Sequence, residues 1–433
     1  MDKLMIFFDT HLTPIATKIG SNRYLKAISS GFIAVMAATI VGSLFTLLAN
    51  LPITAWTTWL SSSGFGAILS LPSQATIDLI ALYAVFFIGY SLAKEFDVDG
   101  SGAGLTALVC FLLVTGRTSY FAAAATDAKT VAAYATTYLG AKGLFAAIIV
   151  GLIGSRIYIA IVKKGWVIKL PDSVPPNVAN SFSSLIPAGF VITFFLIVAG
   201  AMKFTSYGDL NTMIFTIIQS NLMRFMGNNL FSWLFFNLMT NLLWFFGLHG
   251  GNIIGSITNP VYTPLSLENL AAYQAGQTLP YIFTGTSFTK TFTSGGVGSM
   301  FGLAILMVLF SKSKQFKILG KLSLPTTLFF INEPLLFGIP VVLNPLFFIP
   351  LMLITPILGT LTYFVMKLGI IPAAAGLQLP WTTPAVLHGF MQGGWRLGLW
   401  EALMVLSAMA MWYPFFKLAD KKALEEENKS VAA

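Results

Sequence analysis

The stretch LPTTLFFINEPLLFGIPVVLNP, Leu324 to Pro345, decides the fold. It is apolar enough to enter a bilayer, yet it holds four prolines, one glycine and a single carboxylate, Glu333. Proline removes a backbone donor and breaks a helix, and irregular backbone at membrane depth survives only where protein or a water-filled cavity surrounds it. The expected form is a re-entrant hairpin that enters and leaves on the cytoplasmic face. Glu333 is the only charged residue from Leu322 to Met366. Insertion of Asp, Lys or Arg at a helix centre costs about 2.5–3.5 kcal/mol, so a charge kept there is a candidate for function.

A second broken stretch, from Ile370 to Gly394, holds Pro372, Pro380, Pro384 and Gly393 and predicts a matching hairpin from the outer side. Paired broken helices mark the binding site of many transporters. The rest of the chain supplies the membrane context. Of 433 residues 56% are hydrophobic and 9% charged, against roughly 25% charged in soluble proteins. The net charge of +9 does not point to nucleic acid, because the cations sit in short clusters beside apolar runs. Lys18, Arg23 and Lys26 form one cluster, Lys163, Lys164 and Lys169 a second, Lys312, Lys314, Lys317 and Lys321 a third, and Lys417, Lys421 and Lys422 a fourth. Such clusters mark cytoplasmic loops.

Placing all four on one side predicts an all-α polytopic membrane protein with ten transmembrane helices, two re-entrant hairpins and both termini cytoplasmic. The crossings fall near 28–50, 77–94, 103–116, 143–162, 183–203, 212–226, 230–248, 297–311, 341–366 and 397–416, with an outer loop over 256–290. In residues 1–26, Leu4, Phe8, Leu12, Ile15 and Ile19 fall at helical spacing and predict an interfacial amphipathic helix rather than a cleaved leader. Residues 27–205 carry few polar groups in their spans and read as scaffold, 206–418 as the substrate-binding transport region with hairpins near 324–345 and 370–394, and 419–433 as a cytoplasmic tail. Trp56, Trp59 and Trp412 are expected as interfacial anchors, and Cys110 as a small buried hydrophobe.

Candidate site residues gather after residue 220. A carboxylate such as Glu333 can accept from a pair of sugar hydroxyls, or take the proton of one hydroxyl as it attacks; Asn332 and Pro334 shape the turn around it. His249 lies in WFFGLHGGN, in a region with no Asp, Glu, Lys or Arg from Phe225 to Leu267, and Gly250 with its neighbouring glycines lets backbone approach a ligand closely. Asn241 and Trp244 lie one to two turns before it. Sugars need aromatic faces and directed polar groups, so Trp244 and Trp381 are expected platforms, with Thr382 beside the latter. His388 is a further candidate in the second hairpin. There is no GxxxxGK[ST] run for ATP, and no metal site or cofactor is expected.

The segments WVIKLPDSVPPNVANSFSSLIP (166–187), LLWFFGLHG (242–250) and FFINEPLLFGIPVVLNPLFFIP (329–350) resemble the enzyme II C component (EIIC) of phosphotransferase-system (PTS) sugar permeases, in the lactose, cellobiose and diacetylchitobiose branch. The resemblance covers nearly the whole chain. It implies a homodimer formed through the N-terminal half and an elevator-like movement of the C-terminal region. It also implies a β-linked disaccharide as substrate, whose 6-hydroxyl is held by Glu333 and His249 while Trp381 stacks on the sugar. The phosphate would come from a phosphocysteine on a separate EIIB, fed in turn by EIIA and HPr. The rival expectation is a proton-coupled sugar symporter, with Glu333 as proton carrier.

Overall fold

The computed structural model of the chain describes residues 14, 18–51, 53–116, 118–121, 130–134, 136–171, 173–339 and 341–432. Most of the interfacial helix expected in residues 1–26 lies outside them. The chain divides into two compact units, one of Ile19–Arg224 with Asn259–Pro264, the other built mainly from Phe225–Thr258 and Leu265–Ala433.

In the first unit α1 (Arg23–Ala49) starts where the Asn22 side chain accepts from Tyr24 N and Leu25 N at 3.0 and 3.1 Å, which satisfies donors that the first helical turn leaves open. Then come α2 (Thr54–Ser63), α3 (Phe65–Thr76), α4 (Ile80–Glu95) and α5 (Gly100–Thr115). A two-stranded antiparallel ribbon, β1 (Thr118–Phe121) and β2 (Thr130–Ala133), departs from the all-helical expectation. Gly116, at φ 72°, ends α5, and the β-branched Thr118, Thr130 and Val131 suit a pleated strand. Helices α6 (Leu144–Lys163), α7 (Pro176–Ser183), α8 (Leu185–Met202) and α9 (Leu210–Ile214) follow, the last running through a π-helical turn at Phe215–Gln219 into α10 (Ser220–Gly227).

Helix α4 is the centre of this unit, packed against α1, α5 and α6, with Ala81, Ala84, Val85 and Ile88 sealed from solvent. The close approach depends on small residues: a Cβ at Gly104 would lie 2.7 Å from the Phe86 carbonyl oxygen. Elsewhere large apolar side chains stay uncovered. Phe190, Phe194, Leu196 and Ile197 on α8 are all exposed, a surface that suits hydrocarbon rather than water.

The second unit holds α11 (Leu230–Phe245), α13 (Thr286–Thr289), α14 (Met300–Phe310), α15 (Lys314–Leu328), α16 (Glu333–Gly338), α17 (Pro345–Lys367) and α18 (Leu387–Ala432); α12 (Gly250–Gln274) has its middle residues in the first unit. Among the described residues six helical stretches are long and apolar enough to cross a membrane, and Gly100–Thr115, Leu230–Phe245 and Val297–Phe310 are shorter apolar helices. Each of the ten segments expected to cross contains helix, though 341–344 is irregular and the segment near 212–226, broken by a π-helical turn, is not among these apolar helices. Between them, α15 and α16 are joined by a tight turn, and residues 370–386 are non-helical before α18 begins.

Two expectations are corrected. The outer loop over 256–290 is a helix as far as Gln274. Pro260 and Pro264 made it read as loop, since proline costs about 3 kcal/mol in a helix interior. That penalty is outweighed where unpaired backbone would be costlier still, and Leu265, Leu267, Asn269 and Leu270 on this helix are buried. Trp412 is no interfacial anchor: it is 0% exposed, and its Nε1 donates to the Gly298 carbonyl at 2.7 Å. A tryptophan whose only polar atom is satisfied internally packs as core. Trp59 is exposed, stacked at 5.3 Å on Trp56.

Candidate functional site

Glu333 is placed by the way α15 ends. Phe330 takes a left-handed φ of 67°, an uncommon state for an aromatic residue, held by Phe330 N donating to Thr327 O and Ile331 N to Thr326 O, both at 3.0 Å. The chain then turns at Asn332, whose carbonyl accepts from Leu335 N and Leu336 N at 3.0 Å and so starts α16. Pro334 sits in the first turn, where a missing N–H costs nothing. Asn332 is buried, with its amide nitrogen 3.7 Å from Met300 Sδ and its side chain against Gly296, where a Cβ would come within 2.8 Å. Glu333 is half-buried. Its Oε2 is covered and has no hydrogen-bond partner among the described residues, which is costly for a carboxylate oxygen.

His249 is placed by the end of α11. Gly247, at φ 74°, donates to Trp244 O at 3.0 Å, and Leu248 N donates to Leu243 O at 2.9 Å, the pattern of a Schellman cap. His249 then caps α12: its Nδ1 accepts from Asn252 N at 3.1 Å. A neutral imidazole that accepts at Nδ1 carries its proton on Nε2, so the ring offers a donor there. It lies 4.3 Å, centroid to centroid, from the Trp244 indole. A Cβ at Gly250 would run into the Thr240 carbonyl oxygen. Trp244, His249 and Gly250 are thus one constellation.

The chain past α16 packs against the end of α11. Leu343 N, past the end of α16, donates to Phe245 O at 2.9 Å, and a Cβ at Gly247 would contact Val342 Cγ1 at 3.3 Å. Asn241 faces elsewhere. Its Nδ2 donates to Thr355 Oγ1 at 2.8 Å and approaches Asn237 Oδ1 at 3.5 Å, while Thr355 Oγ1 donates to Asn237 at 3.1 Å, bridging α11 to α17. Trp381 and Thr382 lie on the non-helical segment, with the Trp381 side chain 53% exposed. His388 is buried, its Nδ1 2.7 Å from Glu401 Oε1, and Glu401 Oε2 accepts from Val386 N at 2.7 Å and Gly389 N at 2.9 Å.

Sequence reasoning missed Lys290. It is 4% exposed, and its Nζ donates to Trp381 O and Thr383 O at 2.8 Å and to Pro380 O at 3.4 Å. The same ammonium lies 4.1 Å from the centroid of the Phe330 ring. Burial pushes it down to about 7, with the Glu401 carboxylate acting in the opposite sense; Lys290 is outside the membrane-spanning helices. The signal was present: Lys290 is the only charged residue between Glu268 and Lys312, the same anomaly that singled out Glu333.

The profile of the family described as "Phosphotransferase system, EIIC" matches residues 29–356. The lichenan permease IIC component of Bacillus subtilis (strain 168) is 34% identical over 436 residues, covering 99% of this chain and 96% of that protein. The cellobiose-specific EIIC component of the PTS system of Geobacillus stearothermophilus is 34% identical over 438 residues, covering 99% and 97%. The crystal structure of the transporter ChbC, the IIC component from the N,N'-diacetylchitobiose-specific phosphotransferase system, superposes with a TM-score of 0.92 at 32% identity, covering 98% of this chain and 99% of that one.

Proposed function

The chain belongs to the EIIC family of the phosphotransferase system, and from that premise we propose that it is a plasma-membrane permease for a β-linked disaccharide of the cellobiose type, presenting the sugar's 6-hydroxyl to EIIB for phosphorylation. The observation that carries this reading is the covered, unpartnered Oε2 of Glu333, at the start of α16, whose C-terminal extension at Leu343 bonds to the end of α11 that leads into His249. A hydroxyl there donates to the carboxylate and accepts from His249 Nε2. Its remaining lone pair is left to attack phosphorus. As the O–P bond forms, the S–P bond of the EIIB phosphocysteine breaks, the hydroxyl proton passes to Glu333, and the thiolate leaves with the electron pair. From Glu333 the proton returns to the thiolate or to solvent.

Trp244 and Trp381 supply apolar faces for the rings; Gly250, Asn332 and Thr382 line the site. Asn241, buried in its bridge from α11 to α17, would support α11 behind Trp244 rather than meet the sugar directly. In this reading the chain crosses the membrane ten times with both termini cytoplasmic, and α15–α16 and residues 370–394 are the re-entrant elements. The N-terminal region is the scaffold of a homodimer, and the C-terminal region carries the sugar across as an elevator. The basic cluster Lys312, Lys314, Lys317 and Lys321 then faces EIIB, with EIIA and HPr upstream of it.

Proteoliposomes holding the chain test this directly. Labelled cellobiose should accumulate as sugar phosphate only when phosphorylated EIIB is on the cytoplasmic side. Uptake driven by a pH gradient without any phosphoryl donor would refute the reading and make Glu333 a proton carrier.

A further inference from the structure

We propose that Lys290 is a positioning residue that fixes the Trp381 segment against the turn carrying Glu333. The inference rests on the reading that both residues bind the sugar. Four observations converge on one nitrogen. Lys290 Nζ takes the carbonyls of Pro380, Trp381 and Thr383 on one side and the face of Phe330 on the other. Phe330 is three residues before Glu333 in a backbone state it does not hold by preference.

An ammonium has three donors and no acceptor, and here three carbonyls fill them. These carbonyls come from non-helical, part-buried backbone, which has no helix or sheet partner for them. Neutralising or shortening the side chain therefore frees several acceptors at once. The far end of the same segment is pinned by the opposite charge: Glu401 holds Val386 N and Gly389 N, with Val386 itself at φ 72°. Glu401 fixes where the segment enters α18, and Lys290 reaches from the segment to Phe330 on the Glu333 turn. The indole of Trp381 projects from a residue whose own carbonyl is one of the three acceptors, so its position is set by this contact.

The test compares Lys290→Met, Lys290→Arg, Trp381→Ala and the double variant Lys290→Met/Trp381→Ala in purified full-length protein. Cellobiose affinity is read by calorimetry and backbone protection by hydrogen exchange. Lys290→Met should weaken binding about tenfold, the size of one stacking contact. The double variant should be no weaker than Trp381→Ala alone, because both remove the same contact. Exchange over 380–386 should rise in Lys290→Met with or without sugar, and Lys290→Arg, which keeps a cation and its donors, should recover most of both.

Additive losses in the double variant would overturn the proposal, as would weakened binding with 380–386 still protected, or an opened segment with unchanged affinity. If Trp381→Ala alone leaves affinity intact, the stacking role has failed instead, and the sugar-free exchange result shows separately whether the tether exists.

Discussion

Replacing Glu333 by Gln separates a ligand-binding carboxylate from a structural one, because the two roles predict opposite signs for stability. The substitution keeps the shape of the side chain and removes its charge and its capacity to accept a proton. No hydrogen bond from a described residue reaches the covered oxygen, so folding has no partner to lose. Removing a partly buried, unpaired charge should leave the melting temperature unchanged or slightly raised. Sugar affinity should move the other way. A hydrogen bond to a charged acceptor is worth about 1.5–3 kcal/mol, or roughly 10- to 150-fold in affinity for cellobiose. Phosphoryl transfer from EIIB should fall further, by about a hundredfold or more, because the amide cannot take the hydroxyl proton. Calorimetry, thermal melting in detergent and a single-turnover assay with phosphorylated EIIB read the three quantities on one preparation. A variant that melts well below the parent while transferring phosphate at the parental rate refutes the reasoning, since the carboxylate would then serve the fold.

Two further outcomes follow from the geometry. Gly250→Ala drives a Cβ into the Thr240 carbonyl, so the cap at His249 must shift; cellobiose affinity should drop at least tenfold, the equivalent of about 1.4 kcal/mol, by calorimetry. Asp420 lies on α18, accepts from Ser311 Oγ, and takes Lys312 N and Ser313 N at 2.8 and 3.0 Å, so Asp420→Ala should destabilise the α15 end by about 2 kcal/mol, seen as faster hydrogen exchange across 311–316.

Much of this architecture was legible because the bilayer restricts what a sequence can do. Apolar segments punctuated by basic clusters needed no tertiary information, and each of those expected contains helix. What escaped depends on partners far apart in the chain. Asp420 and Glu427 read as part of a solvated tail, yet Glu427 accepts from Ser313 Oγ at 2.6 Å and from Gln315 N at 2.8 Å, more than a hundred residues away; the carboxylates of one helix cap the start of another. Nothing local to residues 419–433 signals that. Trp412 escaped for the same reason, since an indole near a helix end looks alike whether lipid headgroups or a carbonyl meet its N–H. Lys290 is a different kind of miss. Its isolation in the sequence was visible, and only its place in a stretch taken for an exposed loop made the charge look free.

The polar side chains of the second unit sort by whether their hydrogen-bonding capacity is already used. Residues 370–386 form irregular backbone, buried over 374–377, which must find partners outside any helix or sheet. Asn269 takes Ala374 O and the Tyr281 peptide, Gln392 takes Gly376 N, Leu377 N and Leu377 O, and Lys290 and Glu401 take the rest described above. Those four are consumed by the scaffold, as is the His388 ring nitrogen that meets Glu401. The Glu333 oxygen is buried yet unclaimed, and the Nε2 proton of His249 points away from the cap that its other nitrogen makes. Ser232, Thr284, Ser294 and Ser323 also carry buried oxygens without a partner among the described residues, but those are hydroxyls; an unpaired carboxylate oxygen is costlier to bury, which makes Glu333 Oε2 the atom at which the Glu333→Gln test is aimed.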